Sequence, residues 1–143
     1  MSARVRHLVL VLGDQLDAAS AAFDGFDPAR DAVWMAEVAE ESTHVWSSQP
    51  RIAVFLAVMR HFRDALRERG WTVHYRALDD AGNAGRLDAE LSAALARLKP
   101  AKAILVEAGD WRVARALEQA AAAAGVPLET RTDRHFLATP AEF

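Results

Sequence analysis

The amino-acid sequence predicts an α/β fold: a Rossmann-like, open five-stranded parallel sheet with helices on both faces. Two observations carry this. Five short strand-like segments alternate with helical stripes of apolar residues spaced three and four apart, the pattern of repeated β-α-β units. Two of those segments, Leu8–Leu12 and Ala103–Glu107, are almost continuously apolar, which suits strands covered on both sides and not strands with one wet face.

Leu8-Val9-Leu10-Val11-Leu12 is the first strand, ended by Gly13. The polar stretch after it contains Asp24-Gly25-Phe26-Asp27-Pro28 and reads as a loop, with one short helix near Gln15 to Ala22. Ala32 to Val38 is the second strand. From Arg51 to Arg69 the residues Ile52, Phe55, Met59, Phe62 and Leu66 form one buried helical stripe. Ser47 or Ser48 can cap that helix, Pro50 fits its first turn and Gly70 can stop it. Val73 to Leu78 alternates, as a strand near an edge does. Leu87, Leu91, Leu95 and Leu98 mark a second helix ended by Pro100; Ala103 to Glu107 is the fourth strand. Val113, Leu117, Ala120 and Ala124 mark a third helix with Gly125 at its end. Val126 to Arg131 is the last strand, and Pro127 restricts it to a strand start or a sheet edge.

The chain has 143 residues, enough for one domain with a real core, and 52% of them are apolar. Residues 1–135 form the α/β unit, and 136–143 begin a linker or helix. Thr139-Pro140-Ala141-Glu142-Phe143 has the cap, first-turn proline and acidic residue of a helix start, so a further helical region is expected to follow. Lys and Arg number 17 against 20 Asp and Glu, a net charge of -3. Nucleic-acid binding by this segment alone is therefore disfavoured, because phosphate neutralisation needs a basic surplus. The absence of cysteine excludes disulfides and thiolate metal sites within these residues. The apolar run after the basic start is too short for a signal peptide or a membrane span, so a cytoplasmic protein is expected.

In an open parallel sheet, ligands bind at the carboxyl ends of the strands. Those ends carry Gly13-Asp14-Gln15, Glu37, Glu107-Ala108-Gly109-Asp110 and Asp133. Carboxylates there can accept hydrogen bonds from a ribityl chain or a heterocycle N–H; equally, Asp14 and Glu37 can cap local loops and helix starts. Gly-Asp-Gln-Leu after the first strand is neither a dinucleotide fingerprint nor a P-loop, which argues against a conventional NAD or ATP enzyme. A magnesium site from Asp14, Glu37 and Glu107 lacks an accompanying nucleophile or lysine, and the five histidines show no metal-ligand spacing, so no metal and no catalytic residue is assigned. Arg60, Arg63, Arg67 and Arg69 read as the solvated side of the long helix, and the four tryptophans as core or loop packing.

Several stretches, in matching order across the chain, resemble the deoxyribodipyrimidine photolyase-related family of iron–sulfur bacterial cryptochromes and (6-4) photolyases. They are Leu8 to Leu16, Ala36-Glu37-Val38 with Glu41-Ser42, Met59-Arg60-His61-Phe62, Glu107 to Arg112, and Asp133-Arg134-His135-Phe136-Leu137. The resemblance implies a photolyase-type amino-terminal domain that holds an antenna chromophore, a ribityllumazine in family members. It further implies a helical carboxyl-terminal domain as partner, carrying FAD and a [4Fe-4S] cluster and making the contact with DNA, the whole acting as a light-dependent repair lyase or photoreceptor. By the same resemblance the antenna pocket is formed by Gly13, Asp14, Gln15, Leu16, Glu37, Val38, Ile52 and Phe55, with Asp14 and Glu37 bonding the heterocycle or its polyol and Ile52 and Phe55 as apolar walls. The segment alone would then be inactive. A free-standing flavodoxin-like nucleotide- or flavin-binding module is the alternative.

Overall fold

The computed structural model describes residues 5–13, 15–38, 49–107 and 111–132, with side chains in the long helix described from residue 53 onward. Strands β1 (His7–Leu10), β2 (Ala32–Ala36), β3 (Val73–Arg76), β4 (Lys102–Val106) and β5 (Leu128–Arg131) form one sheet in the order β3-β2-β1-β4-β5. Every neighbouring pair is parallel. Helix α1 (Gln49–Glu68) precedes β3, α2 (Leu87–Leu98) precedes β4 and α3 (Trp111–Ala123) precedes β5.

The strand period of two divides the core into two layers. Leu8, Leu10, Trp34, Ala103 and Leu105 point to the face covered by α2 and α3, where Leu91, Leu95, Leu117 and Ala121 meet them. Val9, Val33, Met35, Val73 and Ile104 point to the other face, covered by Met59 and Leu66 of α1 and by Phe23. Both faces are covered, as continuous apolar strands require. Fully burying each such leucine contributes about 2 kcal/mol relative to leaving it in water. The predicted stripes hold at their centres: Met59, Leu66, Leu91, Leu95 and Leu117 are buried. At the end of the third stripe Ala121 is buried and Ala124 is exposed, because α3 stops at Ala123.

The short helix expected near Gln15 to Ala22 is not formed. Only Ala21–Phe23 makes a single 3-10 turn. Asp17 Oδ1 accepts from the Ala19 N–H and Ser20 Oγ from the Ala22 N–H. Such side-chain bonds compete with helical ones and hold the segment in turns. Trp71 stacks on Phe26 at 4.4 Å and packs against Phe23, tying that loop to the start of β3. Trp34 lies in the core, whereas Trp111 is 69% exposed, against the packing role expected of it. No helix among the described residues is long and apolar enough to cross a membrane.

At the amino-terminal edge of the sheet, Asp31 is buried and fully occupied. Its carboxylate accepts from Arg6 Nε at 2.8 Å and Nη2 at 2.6 Å, and from the N–H groups of His7 and Asp27. This joins the starts of β1 and β2 with the loop between them.

Candidate functional site

At the carboxyl edge, β1 ends in Val11-Leu12-Gly13 and β2 runs on through Glu37 to Val38, with Val11 N–H still bonded to Trp34 O at 3.0 Å. Helix α1 crosses these ends and lays Phe55 directly on Gly13. A Cβ built on Gly13 would stand 2.1 Å from Phe55 Cζ, so glycine is needed for this close approach. Around the contact lies a small pocket lined by Leu12, Gly13, Ala36, Glu37, Val38 and Phe55, with Leu56, Met59 and Leu87 behind. Its free volume is about 10 Å³, room for about one water. A planar ring enters only when the half-buried Phe55 side chain turns aside, which frees the space above Gly13.

Glu37 is 1% exposed. Its carboxylate accepts from Arg60 Nε at 2.7 Å and Nη2 at 2.8 Å, from the Leu78 N–H at 2.8 Å and from the Tyr75 hydroxyl. A carboxylate has about four acceptor positions, and all four are taken by protein donors. The main chain is engaged as well: Glu37 N–H donates to Arg76 O, and Glu37 O accepts from Asn83 Nδ2 at 2.6 Å. Asn83 Nδ2 also donates to Ala77 O, and its Oδ1 accepts from Gly85 N–H. The 77–86 loop is thereby fastened to the end of β2. Burial pushes the Glu37 carboxyl upward, but Arg60, Tyr75 and the Leu78 N–H outweigh it and hold the group below its ordinary value. Tyr75 is raised by burial and by the neighbouring Glu37, and Arg60 is raised by Glu37.

Nothing in the local sequence pattern marks Arg60 as a partner for Glu37. Three of the four arginines read as a solvated face reach back to the sheet edge. Arg60 pairs with Glu37, the Arg63 guanidinium sits 4.7 Å from the Tyr75 ring centre, and Arg67 donates to Val73 O at 2.8 Å. Arg69 lies over Trp71. The available signal was chemical: an acidic residue ending a strand buried on both faces needs a cation, and the helix crossing that strand end supplies four.

Gln15 has a different part. Its amide Nε2 donates to Val106 O at 3.1 Å and Glu107 O at 3.3 Å, lacing the end of β1 to the end of β4, where the strand order reverses. Leu16 packs beneath, in the α1 layer. The structure thus brings Gly13, Glu37, Val38 and Phe55 together, and places Gln15 and Leu16 beside them as supports. Asp14 and the Ile52 side chain lie outside the described residues, as do Glu41-Ser42, Ser47, Ser48, Ala108 to Asp110 and Asp133 to Phe143. Glu107 is exposed just past the end of β4, two strands from Glu37, and no group of three His, Asp or Glu among the described residues is placed to hold a metal.

The profile of the deoxyribodipyrimidine photo-lyase-related protein family matches residues 9–143. The chain belongs to this family. It is also 40% identical over 136 residues to a (6-4) photolyase of Agrobacterium fabrum strain C58. That alignment covers 95% of the present chain and 27% of the relative, so the chain spans about a quarter of that protein's length. The parallel sheet, with an apolar pocket at its carboxyl edge, is the architecture found for this photolyase-related chain.

Its acid sensitivity follows from the carboxylates held in ion pairs, Asp31 and Glu37 buried and Glu129 partly exposed. Asp31 and Glu37 are held below their ordinary values of 3.8 and 4.5 by their donors, against desolvation; Glu129 is lowered to about 2 by Lys102 and Arg131. Each is a stronger acid folded than unfolded, so the unfolded chain binds more protons in this range. Their contribution is complete above 4.5 and is lost as the pH falls from there toward about 2. His7 and His74 are lowered by burial and by neighbouring arginines, which adds a shallower loss starting at 6.5. Urea midpoints measured across this range should fall gently below 6.5 and steeply below 4.5. A midpoint unchanged down to pH 3 contradicts the assignment of these networks.

Proposed function

We propose that this chain is the amino-terminal, antenna-binding α/β portion of a photolyase- or cryptochrome-like, light-dependent flavoprotein of the cytoplasm, and that it performs no repair alone. Membership of the photolyase-related family supports the reading, as does similarity to a protein named a (6-4) photolyase. The observation that carries it is the Gly13–Phe55 contact: an aromatic wedge over a glycine, in an apolar pocket at the sheet edge where α/β ligands bind. A ribityllumazine-type chromophore would replace the Phe55 ring above Gly13, between Leu12, Val38 and Leu56, and when bound it would harvest light for a flavin. Glu37 then acts as a positioning residue, holding the strand end and the 77–86 loop through Arg60, Tyr75 and Asn83. FAD, the [4Fe-4S] cluster and the DNA contact belong, on this reading, to a helical domain of the same polypeptide that packs against residues 1–135. The chain has no cysteine to ligate the cluster.

Fluorescence titration of the 143-residue chain with ribityllumazine tests the site. Saturable binding is expected, weakened about tenfold by Phe55→Trp, which overfills the pocket at a cost of about 1.4 kcal/mol. Folded chain that binds no lumazine, or binds it equally well with Phe55→Trp, sinks the antenna assignment.

A further inference from the structure

A second concavity lies between β3 and α2 and shares no residue with the Gly13 pocket. Its volume is about 300 Å³, within the range of small-ligand sites. The charged groups facing it are Arg67 from α1, Arg76 from β3, and Glu90 and Arg97 from α2, with His74 and Trp34 on the sheet side. Glu90 is buried and already satisfied, accepting from Arg76 Nε at 2.7 Å and from the Ala84 N–H. Three arginines against one carboxylate leave a local excess of two positive charges in a chain whose net charge is -3.

Trp34 supplies the independent observation. It is 3% exposed and lines the cavity, yet its indole N–H meets no acceptor among the described residues. A buried donor without an acceptor is costly and is a rare feature of folded chains. His74, its register partner on β3, likewise has no side-chain hydrogen bond among the described residues. Arg97 forms no ion pair among them, and Arg67 uses one nitrogen on Val73 O, at the open edge of β3. Among the charged side chains lining the cavity, Glu90 is the one acceptor, and Arg76 already occupies it.

We propose that this groove binds the phosphate group of a small phosphomonoester, held by Arg67, Arg97 and the Trp34 indole N–H with His74 alongside. The excess of two charges matches a phosphate dianion better than a single carboxylate, and guanidinium forks suit its oxygens. The site stands apart from the antenna reading and does not depend on it.

Inorganic phosphate is the probe, added to the 143-residue chain at constant ionic strength and followed by NMR of the Trp34 indole N–H and the His74 ring. Saturable shifts of both signals are expected, with a higher His74 pKa in the bound form, since an anion favours the imidazolium. Arg97→Ala, a change at an exposed residue, should weaken the binding about tenfold or more; Arg97→Lys should retain part of it. Shifts that grow without saturation, or saturable binding unaffected by Arg97→Ala, overturn the proposal. Acetate producing the same saturation as phosphate does so too, because the dianion match is then irrelevant.

Discussion

Replacing Glu37 by alanine is expected to destabilise the chain by about 3 kcal/mol. The reason is the set of donors left behind, not the charge itself. Arg60 is partly exposed and can recover water, but the Tyr75 hydroxyl and the Leu78 N–H are turned toward the Glu37 carboxylate and lose their shared acceptor. Each stranded donor costs about 1–3 kcal/mol. For a chain of this size the change corresponds to a drop of roughly 10 °C in the unfolding midpoint, readable by thermal circular dichroism. Tyr75→Phe removes one donor together with its need for an acceptor, so its effect should be about 1 kcal/mol. Equal losses for the two variants would mean that the four-donor arrangement does not form in solution.

Asp31→Ala is expected to cost a similar amount, about 2–3 kcal/mol, at the opposite edge of the sheet. There the stranded groups are the N–H donors of His7 and Asp27, while the partly exposed Arg6 can be rehydrated. The comparison separates two roles. Asp31 lies far along the strands from Gly13 and Phe55, so Asp31→Ala should lower the midpoint while leaving ribityllumazine affinity unchanged in the folded population. Glu37→Ala should lower both, because the pocket wall at Ala36-Glu37-Val38 and the 77–86 loop lose their anchor. If Asp31→Ala altered lumazine affinity as strongly as Glu37→Ala, the pocket would not be local to the carboxyl edge.

The sequence by itself determined the layers of this protein. Leu8 to Leu12 and Ala103 to Val106 are apolar at every position, and a strand of that kind has to be covered on both faces. The three helical stripes supply the covers, and their spacing identifies Met59, Leu66, Leu91 and Leu117 as the residues turned inward. The edge positions of β3 and β5 were legible from alternation and from Pro127. Gly13, Glu37, Val38 and Phe55 could be named as neighbours because strand ends converge on one edge and motifs shared with the photolyase-related family mark them.

Only the tertiary structure decided what those residues do to one another. Whether Glu37 faces a ligand or a protein cation depends on where α1 crosses the strand ends, and helical periodicity sets which residues face inward without setting that crossing. Arg60 and Tyr75 are 23 and 38 residues away from Glu37 in the chain, so no local pattern links them. The same holds for Gln15, whose amide spans 91 residues to reach Val106 O, and for Asp31, which takes two donors from Arg6, 25 residues away, and one from His7, 24 residues away. Apolar burial is a property of each residue's own period and is written along the chain. A buried carboxylate is satisfied by whichever donors the packing brings to it, and that is settled only when the helices dock on the sheet.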